Sequence, residues 1–349
     1  MGKTSSCLFG CLIGASGMLV LFVILPLLLL AALLSPNSSD LEKPALLPRP
    51  GAASQLRYGE DECPAFRELW SYGASIKEAD AKVVRIPLRG TIMLDEEAWY
   101  SAPGSAVEAL ASIHRATLDD SVAGILLEVD SPGGGVTSSD ILWNALRDFK
   151  AASSNRVVFV HMGDLCASGG YYVSMAADEI MALPTTMTGS IGVILSSYNV
   201  KEFAKKLGIS DVTIASGKNK AMLSPFQDLT PEQRQLLQSM IDSMHGRFVD
   251  IVAEGRDLPR EKVAELADGR IYLASEAQRI GLIDEIGYFK DACERMERLL
   301  GVDAICFVRY KREETFQDLF RNSGLPGLSG LFHGIRGAST AKFLFMSGK

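Results

Sequence analysis

The chain has 349 residues, 47% of them hydrophobic, and a formal charge of −7. That is enough for one large α/β domain with an anchor, or for two small domains. The mild acidity gives no reason to expect nucleic-acid binding, and six scattered cysteines at 7, 11, 63, 166, 293 and 306 show neither a metal knuckle nor a disulfide framework.

Residues 7–34 carry no charged side chain, and Met18 to Leu34 is the densest apolar part. A run of that size matches the ~20 apolar residues needed to cross a bilayer. Pro26 is tolerable within a membrane helix. The run exceeds a typical signal-peptide core and no clean cleavage site follows, so residues 1–35 are expected to be a retained transmembrane anchor. Lys3 before the run and Asp40 and Glu42 after it favour a cytoplasmic N-terminus and an extracytoplasmic body at the cell membrane. Met1-Gly2-Lys3 also fits a myristoylation pattern, read here as coincidence.

Residues 36–81 are rich in Pro, Ser and Gly, then mixed in charge, and read as a linker and lead-in. Trp70 and Tyr72 there suit either a membrane interface or a core cap. The spacing then predicts strands at Val83–Leu88 and Gly90–Met93, and a helix over Gly104–Ala116 on which His114 is a partly buried residue rather than a base. A strand at Val122–Val129 leads into the turn Asp130-Ser131-Pro132-Gly133-Gly134-Gly135. A helix over Thr137–Ala151 follows, capped by Thr137 or Ser138. A strand at Arg156–Met162 ends in a turn delivering Ser168 ahead of Gly169 and Gly170 and a helix over Tyr171–Ala177. Further strands are expected at Glu179–Ala182, Thr188–Val193 and Val212–Ala215, with a short helix at Lys201–Leu207. The alternation argues α/β with largely parallel pairing.

Thr230–Gly255 is a long helix, with Thr230 as cap and Pro231 at its first position. Leu236, Leu237, Met240, Met244, Phe248 and Ile251 fall on one face and suit a core or a subunit contact. Helices at Arg260–Ala267, Ser275–Ile280 and Phe289–Leu300 precede a last strand at Ala304–Tyr310. Residues 313–349 form an apolar, glycine-rich tail with basic Arg321, Arg336, Lys342 and Lys349. It suits a mobile terminus, a membrane-surface contact or a segment lying in a peptide groove.

Ser168 at a strand-to-helix junction suits a helix N-cap. It equally suits a nucleophile, because glycines behind it clear space and backbone N–H groups face its hydroxyl. Gly133 or Gly134 could supply one oxyanion donor and Gly169 another, at the carboxyl ends of adjacent strands. Neither turn fits a phosphate loop. A nucleophilic serine needs a base. Of His114, His161, His245 and His333, only His161 lies nearby, and it would have to fold back across the turn. A desolvated lysine serves instead in Ser-Lys sites. Lys218 and Lys220 are both candidates, and periodicity does not choose between them. Cys166 reads as a small buried residue.

Several motifs resemble those of the signal peptide peptidase A family of bacterial serine peptidases. Ala167-Ser168-Gly169-Gly170-Tyr171-Tyr172 is similar to its nucleophile segment and Asp130–Gly135 to its oxyanion turn. Thr188-Gly189-Ser190-Ile191-Gly192-Val193 is similar to the strand that follows, and Ser216-Gly217-Lys218-Asn219-Lys220 to its lysine segment. Ala267–Tyr272 and Gly281–Gly287 resemble its closing module. The motifs run in family order over residues 83–300.

The resemblance implies a ClpP/crotonase-like fold of repeated ββα units over residues 82–312. It implies Ser168 as nucleophile, Lys220 as general base, the N–H groups of Gly133 and Gly169 as oxyanion donors, and Ser190 as a hydroxyl orienting the lysine. It further implies hydrophobic peptide substrates such as signal-peptide remnants, a membrane-tethered homo-oligomeric ring, and no cofactor or metal. Within one subunit or across two are both open for the pairing of Ser168 with Lys220. The rival readings are a crotonase-type acyl-CoA enzyme and a catalytically silent membrane scaffold.

Overall fold

The computed structural model describes residues 66–94 and 104–312. The expected anchor, most of the linker and the tail from 313 lie outside these residues. No helix among the described residues is long and apolar enough to cross a membrane.

The first strand, β1 (Phe66–Gly73), falls inside the stretch expected to be linker. It pairs antiparallel with the last, β9 (Ile305–Arg312). Trp70 is 64% exposed, while the ring of Tyr72 meets Phe289 edge-on at 5.3 Å. β2 (Ala81–Arg89), β3 (Val122–Ser131), β4 (Val157–Ala167), β5 (Glu179–Ala182) and β8 (Glu285–Ile286) then follow in parallel, giving the order β1-β9-β2-β3-β4-β5-β8. The short β6 (Met187–Gly189) runs parallel beside the end of β4 and antiparallel to β7 (Ile271–Leu273).

Strands covered on both faces are apolar at nearly every position, and this one alternates between two cores. Ile125, Leu127 and Val129 of β3 face the larger core, with Val158, Val160 and Met162 of β4. Leu126 and Phe159 face the smaller one, against α8 (Phe289–Leu300). The larger core is covered by α1 (Ala106–Leu118), α2 (Val136–Ala151), α3 (Gly169–Ser174) and the C-terminal half of α5 (Pro231–Arg256). His114 is half-buried on α1. The short α4 (Lys201–Lys206), α6 (Arg260–Leu266) and α7 (Ala274–Ile280) complete the chain.

Several expectations change. Gly90–Met93 is a turn joined to the sheet by one bridge, between Ile92 and Gly134. Gly135 caps α2 in place of Thr137 or Ser138, because the glycine turn runs straight into the helix. The strand expected over Thr188–Val193 stops at Gly189, where Ser190 takes φ 51°. Val212–Ala215 is irregular and exposed, and pairs with no strand among the described residues. On α5 the expected core face is real only in part: Leu237, Phe248 and Ile251 are buried, whereas Leu236, Met240 and Met244 are exposed. Thr230 caps this helix with a full capping box through Gln233.

A half-buried ion cluster flanks the smaller core. Glu128 of β3 accepts hydrogen bonds from Arg85 at 2.7 Å and Arg309 at 2.8 Å, and the Arg85 guanidinium lies 4.1 Å from the Phe289 ring centre. Burial alone would raise the Glu128 carboxyl, but the Arg85 hydrogen bond and the two positive charges outweigh it and hold it below the usual carboxylate range. A depressed carboxylate stabilises the fold above the unfolded value, and that contribution fades as pH falls through the folded value. Glu128→Gln should therefore cost about 2–3 kcal/mol at neutral pH. Urea titrations should show the gap to wild type shrinking in acid.

Candidate functional site

β3 and β4 are neighbours, and the turns at their carboxyl ends meet. At Gly133 φ is +97°, and a Cβ there would stand 2.5 Å from Gly169 N and 2.8 Å from Ser168 Cβ. Only glycine lets the two turns approach so closely. A Cβ on Gly134 would strike Ile92 O at 2.2 Å, and one on Gly169 would strike Ser139 Oγ at 2.3 Å. The glycines of both motifs are thus explained by backbone packing. Gly133→Ala should cost about 1–3 kcal/mol of stability. Chemical denaturation of the variant beside wild type checks this.

Ser168 is half-buried at the junction of β4 and α3. Its backbone has φ 51° and ψ −118°, a conformation that costs a non-glycine residue of order 1–3 kcal/mol. Its N–H donates to Gly189 O at 2.8 Å and its carbonyl accepts from Tyr172 N at 2.9 Å. Although Ser168 stands at the N-cap position, its hydroxyl makes no cap hydrogen bond. The backbone therefore serves as the cap and the side chain is left over, which is what a nucleophile requires.

Among the described residues, the N–H groups of Gly134 and Gly169 have no hydrogen-bond acceptor, and Gly134 N lies 3.1 Å from where a Gly169 Cβ would stand. The Gly133 N–H, by contrast, donates to Ser131 Oγ at 3.1 Å, and Ser131 Oγ donates to Gly90 O at 2.6 Å. The turn as a whole borders Ser168, with Gly134 rather than Gly133 holding the uncommitted donor. Ser131, buried and bonded on both sides, was not singled out from sequence. Its position within the Asp-Ser-Pro-Gly motif was the available signal.

Ser190 follows β6, whose register sets Ala167 against Gly189, so it continues alongside Ser168. Its N–H donates to Arg270 O at 2.8 Å, which ties the site to the Ala267–Tyr272 motif. The Gly281–Gly287 motif holds the helix after the serine. Tyr171 Oη donates to Leu282 O at 2.7 Å, and Arg256 grips Asp284 through two nitrogens at 2.9 and 2.6 Å.

Lys220 is exposed, as is Lys218, and its side chain makes no hydrogen bond or ion pair among the described residues. The loop around it is tied to the start of α5, where Gln233 donates to Lys218 O at 3.0 Å. Among the described residues, no hydrogen bond joins Lys220 to Ser168. The histidines do not supply a base either. His161 shares the sheet face of Phe159, contacts Gly287 O at 3.4 Å and packs edge-on against Phe289. His245 is bonded to Ala267 O at 2.9 Å. Burial pushes the Cys166 thiol up to about 12, so it is a protonated core residue and not a nucleophile. Cys166, Cys293 and Cys306 are all free.

An apolar groove of about 310 Å³ opens beside the glycine turn, bordered by Gly135, Val136, Leu195, Leu237, Met240 and Met244. A free hydroxyl on a strained turn, two uncommitted backbone donors next to it and an adjoining apolar groove are an arrangement that can support acyl transfer.

Comparison with known proteins narrows that class. Residues 150–303 match the profile of peptidase family S49. A candidate signal peptide peptidase SppA from Enterococcus faecium is 34% identical over 264 residues, covering 75% of this chain and 74% of that one. A chloroplastic serine protease SPPA of Arabidopsis thaliana is 34% identical over 191 residues, covering 54% of this chain and 28% of that one. Among solved structures, a ClpP1 mutant from Listeria monocytogenes aligns at 17% identity with a TM-score of 0.38, over 60% of this chain and 93% of that one. The chain belongs to the S49, or SppA, family and is a serine peptidase. The acyl-CoA and silent-scaffold readings give way to this one.

Proposed function

We propose that this peptidase works through Ser168 as nucleophile and Lys220 as general base, in a membrane-anchored homo-oligomer that hydrolyses hydrophobic peptides such as signal-peptide remnants. The observation that carries the reading is Ser168 itself: strained, free at its hydroxyl, and pressed against the glycine turn. Lys220 takes the Ser168 proton as Oγ attacks the peptide carbonyl. Gly169 and the Gly133–Gly134 turn hold the oxyanion. Gly134 can do so as it stands, whereas Gly133 must first leave Ser131. Lys220 returns the proton to the leaving amine, and a water deprotonated by Lys220 then releases the acyl group. Ser190 would orient the Lys220 amine from its place beside Ser168.

A lysine becomes a base when it is desolvated. Lys220 lies in an exposed segment that also exposes Ile194, Tyr198, Phe203, Val212 and Ile214. Covering that segment with a second subunit would bury this apolar surface and the lysine together, which favours a dyad built across subunits. The parallel sheet with both turns at its carboxyl edge suits a ClpP/crotonase-like fold over residues 82–312. The apolar run at 7–34 supports the anchor, with the body outside the cytoplasm.

The substrate part of the proposal is tested by hydrolysis of matched peptides. Leucine-rich, signal-peptide-like sequences should be cut at least ~10-fold faster, in kcat/KM, than charged ones of equal length, as expected when an apolar groove adds 1–3 kcal/mol of discrimination. Equal rates would contradict it.

A further inference from the structure

Ser168 caps α3 and the glycine turn lies just before α2, so the hole between them is only as well set as the spacing of those two helices. One polar cluster bridges those two helices. Tyr172, in the first turn of α3, is 3% exposed, and its hydroxyl donates to Asp140 Oδ1 of α2 at 2.5 Å. Arg247 of α5 donates to the same carboxylate oxygen from Nε at 3.1 Å and Nη2 at 2.6 Å. The Tyr172 ring is wedged between Trp143 of α2 and Phe248 of α5, with centroids 6.2 and 5.0 Å away. Asp140 lies five residues after Gly135 and Tyr172 four after Ser168, so each end of the bridge sits about one helical turn from a wall of the hole. A buried phenol hydroxyl needs an acceptor somewhere. Here the acceptor chosen is on the one helix that begins at the other half of the site.

We propose that Tyr172, Asp140 and Arg247 form a positioning clamp that sets the distance between the Gly133–Gly134 turn and Gly169, and so the fit of the oxyanion. None of the three touches the reacting atoms. The proposal rests on the assignment of Ser168 and these glycines as the reacting site. A looser clamp would leave peptide binding in the groove intact while weakening a contact made in the transition state.

The test is steady-state kinetics on Tyr172→Phe, Asp140→Ala, Asp140→Asn and the Tyr172→Phe/Asp140→Ala double variant, with circular dichroism to confirm folding. Tyr172→Phe keeps the wedged ring and loses only the hydroxyl. It should lower kcat ~10-fold or more with KM held within about twofold, because ~1 Å misplacement costs up to ~10²-fold. Asp140→Ala should lose at least as much, and the double variant no more than Asp140→Ala alone. Asp140→Asn keeps an acceptor oxygen and should retain most of kcat. An unchanged kcat in Tyr172→Phe, a loss confined to KM, or losses that multiply in the double variant would overturn the clamp. Ser168→Ala, run alongside, separates the two levels. If it is inactive while Tyr172→Phe has wild-type kcat, the clamp alone is wrong. If Ser168→Ala remains active, the site itself is wrong and the clamp falls with it.

Discussion

Purified Ser168→Ala should lose peptide hydrolysis by at least ~10³-fold while keeping its fold and assembly. The size follows from the chemistry: without a nucleophile only binding and oxyanion stabilisation remain, and these leave a small residual rate. Folding should be spared because the Ser168 hydroxyl makes no cap hydrogen bond that alanine would forfeit. Its two backbone hydrogen bonds, to Gly189 and from Tyr172, survive the change. The strain at φ 51° falls on alanine as it does on serine, so the melting temperature should move little. Initial rates on an apolar peptide and a thermal melt together check this. Retained hydrolysis in a folded variant would remove Ser168 from the reaction.

Lys220→Ala should be nearly as severe, a fall of ~10³-fold, and the double variant with Ser168→Ala should be no worse than either single change, since the two act as one unit. Lys220 is exposed and unpartnered among the described residues, so its removal breaks nothing within the subunit. The same exposure makes a sharper experiment available. If a neighbouring subunit buries the lysine, co-assembly of Ser168→Ala with Lys220→Ala subunits creates some sites with both groups intact, and activity returns to a fraction of wild type. A dyad closed within one chain gives no recovery. Loss in Lys218→Ala with an unaffected Lys220→Ala would move the base to the other lysine.

The parallel sheet was legible because strands buried on both faces are continuous apolar runs. Val122–Val129 and Arg156–Met162 are recognisable as such runs, but β3 continues to Ser131 and β4 to Ala167, so each glycine turn begins later than its apolar run ends. β1 was not legible: Phe-Arg-Glu-Leu-Trp-Ser-Tyr-Gly mixes charge and aromatics as an edge strand does, and its partner lies at the far end of the chain. Val212–Ala215 misled for the converse reason, a β-branched run with no edge to join. Half of α5 carries its apolar stripe into solvent, where periodicity alone suggests a core. At the site, the Ser168 turn and the glycine turn meet, as their places at the ends of neighbouring strands suggest. The capture of the Gly133 N–H by Ser131 and the Tyr172–Asp140 bridge were hidden, because both depend on side-chain direction in the folded chain.

Covalent trapping decides whether Ser168 is the attacking group. The protein is treated with a fluorophosphonate, digested, and the modified residue located by mass spectrometry. One stoichiometric adduct is expected on the peptide holding Ala167-Ser168-Gly169-Gly170, formed in step with loss of activity and absent from Ser168→Ala. Inactivation with the adduct on Ser190 or any other residue, or an unlabelled Ser168 in active enzyme, would contradict it.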